Sequence, residues 1–290
     1  MGESIFGSAE EKYNRLAMLL SIIVATKGRL KEVEDLIYSI KYSNYKLIEV
    51  IIVDQNVSDG LTKLLADYNG ELAIKHIKVE ARGASNARNI GIQQSVGQYF
   101  CFPDDDCKFM ENTIDVALHK IQHYDVIFGK CVDETGKDSV INFAKGDHNL
   151  TLQHHENMFV EATMFARKEI MLNYSYDENL GVGTFHGAEE AYDLILRLLN
   201  AGKNLAYSED IIFYHPNKIL NHSSQGEIRR VFSYRCGFAK LCFKHKFYKK
   251  YFTRLFLVLF AIPYFLIADR KKCRYYLSEF LGLIVGAIIP

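Results

Sequence analysis

The segment YFCFPDDDCKF, residues 99–109, decides the fold. An apolar run ends directly in three carboxylates, Asp104, Asp105 and Asp106, which repel one another and gain nothing from a hydrophobic core. A turn needs one Asp or Asn. Three carboxylates together raise one another's pKa values unless a cation is close. The cluster therefore reads as a solvated turn, a helix start or a cation site. The apolar half, GQYFCFP (97–103), is bounded by Gly97 and Pro103 and reads as a short buried strand.

The same scheme repeats on the N-terminal side. MLLSIIVAT (18–26) is a branched apolar run, followed by Lys27-Gly28-Arg29 and an amphipathic stretch from Leu30 to Ile40, which predicts strand, glycine turn and helix. IEVIIVDQNVSDG (48–60) predicts a buried strand ending at Asp54, with Ser58 and Asp59 as N-caps for a helix from Leu61 to Tyr68. LAIKHIKVE (72–80) predicts a third strand, and RGASNARNIGIQQS (82–95) a helix with a small-residue start. Strands alternating with helices imply a mostly parallel α/β sheet, whose ligands lie beyond the carboxyl ends of the strands. Thr26, Asp54 and Asp104–Asp106 all fall at such ends.

Further along, YDVIFGKCVD (124–133), MFVEATMFARKEI (158–170) and AYSEDIIFYHP (206–216) read as strands. FHGAEEAYDLILRLLNAG (185–202) reads as an amphipathic helix stopped by Gly202. The composition is globular, at 49% hydrophobic and 24% charged residues, with room for one large domain plus an appendage. Six cysteines form no CxxC pair, so reduced thiols in a cytosolic compartment are expected. Residues 1–15 are polar and mixed in charge, and no signal peptide is expected there.

The formal net charge of zero conceals two opposed regions. Residues 1–217 hold 21 Lys and Arg against 32 Asp and Glu, whereas residues 218–275 hold 14 against two. A basic tail favours anionic surfaces, nucleic acid or anionic lipid. Two apolar stretches choose between them: 251–268 has one charge, Arg254, and 276–290 has one, Glu279. Each falls short of the roughly 20 apolar residues of a full span. With flanking Lys, Arg, Tyr and Phe they predict a peripheral or monotopic membrane attachment through 218–290 and no nucleic-acid partner; packing in the core or in an oligomer is the other reading of the tail.

The chemistry concentrates at the sheet edge. Hard divalent ions such as Mg2+ and Mn2+ take one or two carboxylates and fill the remaining positions with phosphate oxygens and water. Asp54 can accept from a base N–H or a ribose hydroxyl. Arg82, Arg88 and Asn89 surround a small-residue helix start suited to phosphate. Glu189 and Glu190 open a helix, where an acid is either a dipole stabiliser or a general base. Asp193 can pair with Arg197 one turn on. His215, ending the last strand, is a structural residue or a metal or phosphate ligand.

These motifs, LSIIVATKGR, EVIIVDQNVSDG, RGASNARNIGIQQSVGQYFCFPDDD, GAEEAYDLILRLLNAG and IIFYHP, resemble in order and spacing the family-two glycosyltransferases of the GT-A fold, over residues 18–216. The resemblance implies a GT-A type α/β fold with a mostly parallel central sheet flanked by helices, followed by a C-terminal basic and apolar helical extension. The expected divisions are a nucleotide-sugar-binding and catalytic domain at 16–217, an acceptor-side helical segment at 218–250 and a membrane-associated tail at 251–290.

It further implies a nucleotide-diphospho-sugar donor, UDP-sugar favoured, and inversion by direct displacement onto a glycan or lipid-linked acceptor, with Mn2+ or Mg2+ as cofactor. Asp54 would hold the base, with Thr26 and Arg29 in the same pocket and Arg82 and Arg88 by the nucleotide. Asp106 would bind the metal, helped by Asp104 and His215. Asp104 would bind through water or hold ribose, and Asp105 would meet the sugar or make a local structural bond. Glu190, or Glu189, would deprotonate the acceptor. With the basic, aromatic and apolar tail, the expected place of work is the cytoplasmic side of a bacterial membrane, on a lipid-linked or polysaccharide acceptor in surface polysaccharide synthesis.

Two departures stand out. Gln55 replaces the usual second acid after Asp54, and the helix motif reads Glu-Glu-Ala-Tyr-Asp where Glu-Asp-x-Asp is usual. The rival readings are a sugar-nucleotide pyrophosphorylase, which wants a glycine-rich basic loop that ATKGR with its single glycine does not supply, and a non-catalytic nucleotide-sugar binder in membrane assembly.

Overall fold

The structure is a computed structural model describing residues 18–68, 70–217, 221–222 and 224–289. Residues 16–17, 69, 218–220, 223 and 290, which fall within the expected domain bounds, lie outside the described residues. The chain forms two compact units: one of residues up to Ala81, Ala87–Ser175 and Leu198–Asn217, the other of Arg82–Asn86, Tyr176–Arg197 and the segment from Lys218 onward.

The first unit carries the sheet. β1 (Leu20–Thr26) and β2 (Ile48–Asp54) are almost wholly buried, as continuous branched runs require. They pair in parallel and in register, Thr26 against Asp54. β3 (Ala73–Lys78) flanks β2 in parallel as an edge strand, and β4 (Tyr99–Cys101) flanks β1 in parallel. The expected parallel sheet holds over this half. The other half is mixed: β8 (Phe165–Arg167) runs antiparallel between β4 and β6 (Val126–Val132), and β9 (Leu205–Tyr214) runs parallel to β6. β5 (Lys108–Phe109) and β7 (His148–Asn149) are short antiparallel partners of β9.

The helices α1 (Leu30–Lys41), α2 (Gly60–Ala66), α3 (Ala84–Gln94), α4 (Thr113–Lys120), α5 (Lys168–Asn173) and α6 (Glu190–Asn200) follow the sequence pattern. α1 buries Val33, Leu36, Ile37 and Ile40, one face of a 3.6-residue period. Gly202, at φ +71°, ends α6 in the left-handed conformation that a side chain resists.

Two local expectations are corrected. Residues 158–170 are not one strand: a 3-10 turn at Glu161–Thr163 precedes the three-residue β8, and α5 begins at Lys168. Asp59 stands before α2 without a side-chain capping hydrogen bond, because its carboxylate is drawn to Lys78 on β3.

The second unit holds α7 (Gln225–Lys244), α8 (Tyr248–Ala268) and α9 (Arg270–Ile288). Phe238, Ala239, Cys242, Tyr251, Val258 and Leu283 form their shared core. Gly282 and Gly286 let α9 approach α7 so closely that a Cβ at either would overlap the α7 backbone, at Phe232 and Cys236. Glu279, wholly buried on α9, is ion-paired with Arg235 of α7 at 2.6 Å and accepts a hydrogen bond from Arg254 of α8 at 2.7 Å. All six cysteines are buried and free.

Candidate active site

At the carboxyl ends of β1 and β4 the acids acquire partners. Thr26 donates from Oγ1 to Asp105 at 2.7 Å. Arg29, beyond the left-handed Gly28 turn at φ +78°, donates to Asp105 at 2.9 Å and pairs with Asp106. Asp105 is buried, and burial pushes its carboxyl up to about 6 against the pull of Thr26 and Arg29. The three acids are thus unequal: Asp105 is held inside, while Asp104 and Asp106 keep some exposure.

β9 brings His215 to the same cluster, its Nε2 3.6 Å from Asp106 Oδ1. Its Nδ1 lies 2.9 Å from the carbonyl oxygen of Pro216. A carbonyl only accepts, so Nδ1 carries the hydrogen, which leaves Nε2 as the ring nitrogen of the neutral imidazole that a cation can take. Asp106 and His215, with the thiol of Cys107, form a group whose ligand atoms lie within 4.8 Å of one another. A carboxylate, an imidazole lone pair and a neighbouring exposed carboxylate, Asp104, suit a divalent cation.

Arg88 is buried on α3. It donates to Asp104 at 3.1 Å and pairs with Glu161 at 2.7 Å, so it fixes the first acid of the triplet. Glu161, from the 3-10 turn, was not legible as a site residue: it sits in an apolar stretch and meets Arg88 only through the fold.

Asp54 has no exposed surface. Its Oδ1 accepts from the backbone and side-chain nitrogens of Asn56, at 2.8 and 2.7 Å, and its Oδ2 meets His76 Nε2 at 3.0 Å. Asn56 in turn accepts from the Gly28 amide at 2.6 Å, so the loops after β1 and β2 are tied together. His76 and Asn56 were also missed by sequence reasoning; the polar alternation of β3 was the only signal for His76.

The remaining candidates belong to the second unit. Arg82 is exposed just before α3. Ala84 donates to the Val182 carbonyl at 2.8 Å and Ser85 to that of Leu180 at 2.6 Å, which joins residues 82–86 to the loop preceding α6. Glu190 is buried at the start of α6, and its carboxyl group packs so closely on Gly181 that a Cβ there would touch it at 3.0 Å. Glu189 adopts φ +76°, a costly conformation for a non-glycine residue. Its carboxyl end is enclosed, and burial pushes it up to about 7, although Arg235 and Lys250 pull the other way.

Asp193 lies one turn further on and is fully buried. Burial acts to raise its pKa, but hydrogen bonds from His245, Lys244 and Arg197 outweigh it and hold the carboxyl below the ordinary range. The expected Asp193–Arg197 pair is present at 2.8 Å, and Lys244 and His245 from the end of α7 join it.

Known proteins resemble this chain in part. An uncharacterized glycosyltransferase of Rickettsia conorii is 27% identical over 122 residues, 41% of this chain but only 20% of that protein's length. The chain therefore matches about a fifth of the length of such relatives. The GalNAc(5)-diNAcBac-PP-undecaprenol beta-1,3-glucosyltransferase of Campylobacter jejuni is 29% identical over 40% of this chain and 38% of its own.

Among solved structures, S. aureus TarS 1–349 in complex with UDP-GlcNAc has a TM-score of 0.59 at 21% identity, over 75% of this chain and 65% of that one. The mannosyltransferase PcManGT of Pyrobaculum calidifontis, in complex with GDP-Man and Mn2+, has a TM-score of 0.57 at 16% identity, over 93% and 73%. At these identities the likeness establishes the fold, which is GT-A. The family model for glycosyl transferase family 2 matches residues 21–187, more than half of the chain and the part that contains β1, the acid triplet and the run up to Gly187, and the chain accordingly belongs to that family.

Proposed function

We propose that this chain is an inverting glycosyltransferase that moves a sugar from a nucleotide-diphospho-sugar, UDP-sugar favoured, to a hydroxyl of a glycan or lipid-linked acceptor. The observation that carries the reading is the meeting of Asp106 and His215, 3.6 Å apart, at the sheet edge of a family-two chain. Asp106, His215 and the exposed carboxylate of Asp104 are the groups that would hold Mn2+ or Mg2+. Bound there, the ion supplies Lewis-acid stabilisation of the departing diphosphate.

The protein's own groups do the rest. Arg88 and Glu161 hold Asp104 in place, and Thr26 and Arg29 hold Asp105. Asp54, Asn56 and His76 shape the end of β2 where the base is received. Arg82 meets the nucleotide from the segment before α3. Glu190, at the positive end of α6, takes the acceptor proton as general base. The Campylobacter relative, named for an undecaprenol-linked glycan, supports a lipid-linked acceptor and a role in surface polysaccharide synthesis.

The chain works at the cytoplasmic face of the membrane, held by its tail. α8 is long and apolar enough to cross a membrane by length and composition, and most of its surface is exposed. Phe252, Phe256, Leu257, Phe260, Tyr264 and Ile267 are uncovered, beside the basic residues of 218–275. That combination fits an anionic lipid surface.

The transfer reading is tested by offering a panel of nucleotide sugars with Mn2+ or Mg2+ and following sugar release or transfer. Glu190→Gln is expected to keep donor binding while turnover falls by about 10²–10⁴-fold. Full turnover in Glu190→Gln and loss in Glu189→Gln would move the base by one residue. No turnover and no binding with any nucleotide sugar contradicts the function.

A further inference from the structure

We propose that Asp106, Cys107 and His215 form a second-use site for a thiophilic divalent cation of the Zn2+ or Cd2+ class, and that such an ion inhibits the chain by holding the two groups assigned above to Mn2+ or Mg2+. The binding claim stands on the geometry alone; the inhibition rests on the transferase reading.

The donor set carries the argument. One carboxylate oxygen, one thiol sulfur and one imidazole nitrogen lie within 4.8 Å of one another. The Asp106 Oδ1 to His215 Nε2 separation of 3.6 Å is close to the roughly 3.4 Å edge of a tetrahedron at zinc bond lengths. His215 already has the outer hydrogen bond of a metal-binding imidazole, from Nδ1 to the carbonyl of Pro216, which fixes the ring and turns Nε2 to the cluster. A buried cysteine is ordinarily a small apolar filler. Cys101, Cys236, Cys242 and Cys273 belong to no such donor group among the described residues. Cys107 does; its hydrogen bond with Cys131, its burial and the nearby Asp104 and Asp106 push its thiol well above the ordinary range, so a cation bound there must offset the cost of forming the thiolate.

Sulfur makes the site discriminate. Mg2+ and Mn2+ prefer oxygen ligands and leave a thiol alone, whereas zinc takes sulfur, nitrogen and oxygen together and stands above Mn2+ in divalent affinity. On binding, the Cys107 thiol gives its proton to water and a metal–sulfur bond forms, with no change of oxidation state. Asp106 and His215 are then held by an ion that does not favour phosphate oxygens and water in the same way.

The test titrates the full chain with Cd2+ and follows the ultraviolet charge-transfer band of a cadmium–thiolate bond, in the wild type, Cys107→Ala, Cys107→Ser and His215→Gln. Zn2+ affinity is read by competition with a chromophoric chelator, and thermal melts check folding. The wild type is expected to show the band with one ion per chain, and both Cys107 variants to lose it. Zn2+ affinity should fall by at least about 10–100-fold in each Cys107 variant and in His215→Gln, the range already reached by losing an outer partner. Should the Cys107 variants not fold, retained affinity in His215→Gln would overturn the site by itself.

A wild type without the band, or a band unchanged in folded Cys107 variants, overturns the proposal. Mg2+-dependent binding of a UDP-sugar is measured separately on the same samples. If that binding is absent while the band follows Cys107, the transferase reading fails and the thiophilic site stands.

Discussion

Arg88 and Glu161 show what the fold adds to a single residue. Arg88 was legible as an arginine near a phosphate-type helix start, yet its side chain is buried and divided between Asp104 and Glu161. Removing one member of a buried pair strands the other, which typically costs 3–5 kcal/mol, about 3 for this pair because Asp104 still holds Arg88. Glu161→Ala is therefore expected to lower stability by about 3 kcal/mol in a urea titration and to weaken donor binding. Unchanged stability would show that Asp104 alone satisfies the guanidinium.

Glu189 gives a second prediction at this scale. Its carboxyl is raised from the ordinary 4.5 to about 7, so the folded chain holds a proton that the unfolded chain has already released between those values. The stability from this proton is complete below pH 4.5 and is lost as pH rises through 7. Glu189→Gln should be the more stable form above pH 7, by at most about 3 kcal/mol, and should lose this part of the pH dependence. A wild-type midpoint flat from pH 5 to 8 contradicts it. The acids themselves were visible because a carboxylate at the end of an apolar run has no packing reason to be there. His76 and Glu161 were not, since nothing local marks a residue whose partner is 22 or 73 positions away.

Among the elements, strands were read best where burial on both faces left an unbroken apolar run, as in β1, β2 and β6. Residues 158–170 misled because apolar residues without a period fit strand, turn and helix alike, and only the pairing of β8 between β4 and β6 selects three of them. The missing cap at α2 has a tertiary cause, Lys78, that no local pattern contains. The α7–α9 crossing depends on Gly282 and Gly286, whose apolar stretch read as membrane attachment first and as core or oligomer packing second. Gly286→Leu must push the helices apart. Overpacking costs typically 1–3 kcal/mol, and hydrogen exchange should quicken in α7 and α9 while β1 and β2 are unaffected. Unaltered exchange in α7 would contradict the close crossing.

For the whole molecule, the opposed charges of body and tail and the uncovered aromatic side chains of α8 lead to one expectation. The full chain should bind vesicles of anionic lipid, release with rising salt, and bind neutral vesicles more weakly. The variant Phe256→Ser, Phe260→Ser, Ile267→Ser should lose most of this binding while keeping its fold; equal partitioning with the wild type would remove the membrane from the account. The central claim lies at the other end of the chain, in the acid edge as a cation-dependent receptor for a nucleotide-diphospho-sugar. Titration calorimetry of UDP-sugars and GDP-mannose into the full chain, with and without Mg2+ or Mn2+, tests it most directly, with Asp106→Ala alongside. The account predicts binding that requires the ion and is abolished in Asp106→Ala. Binding of equal strength without the ion, or in Asp106→Ala, would contradict it.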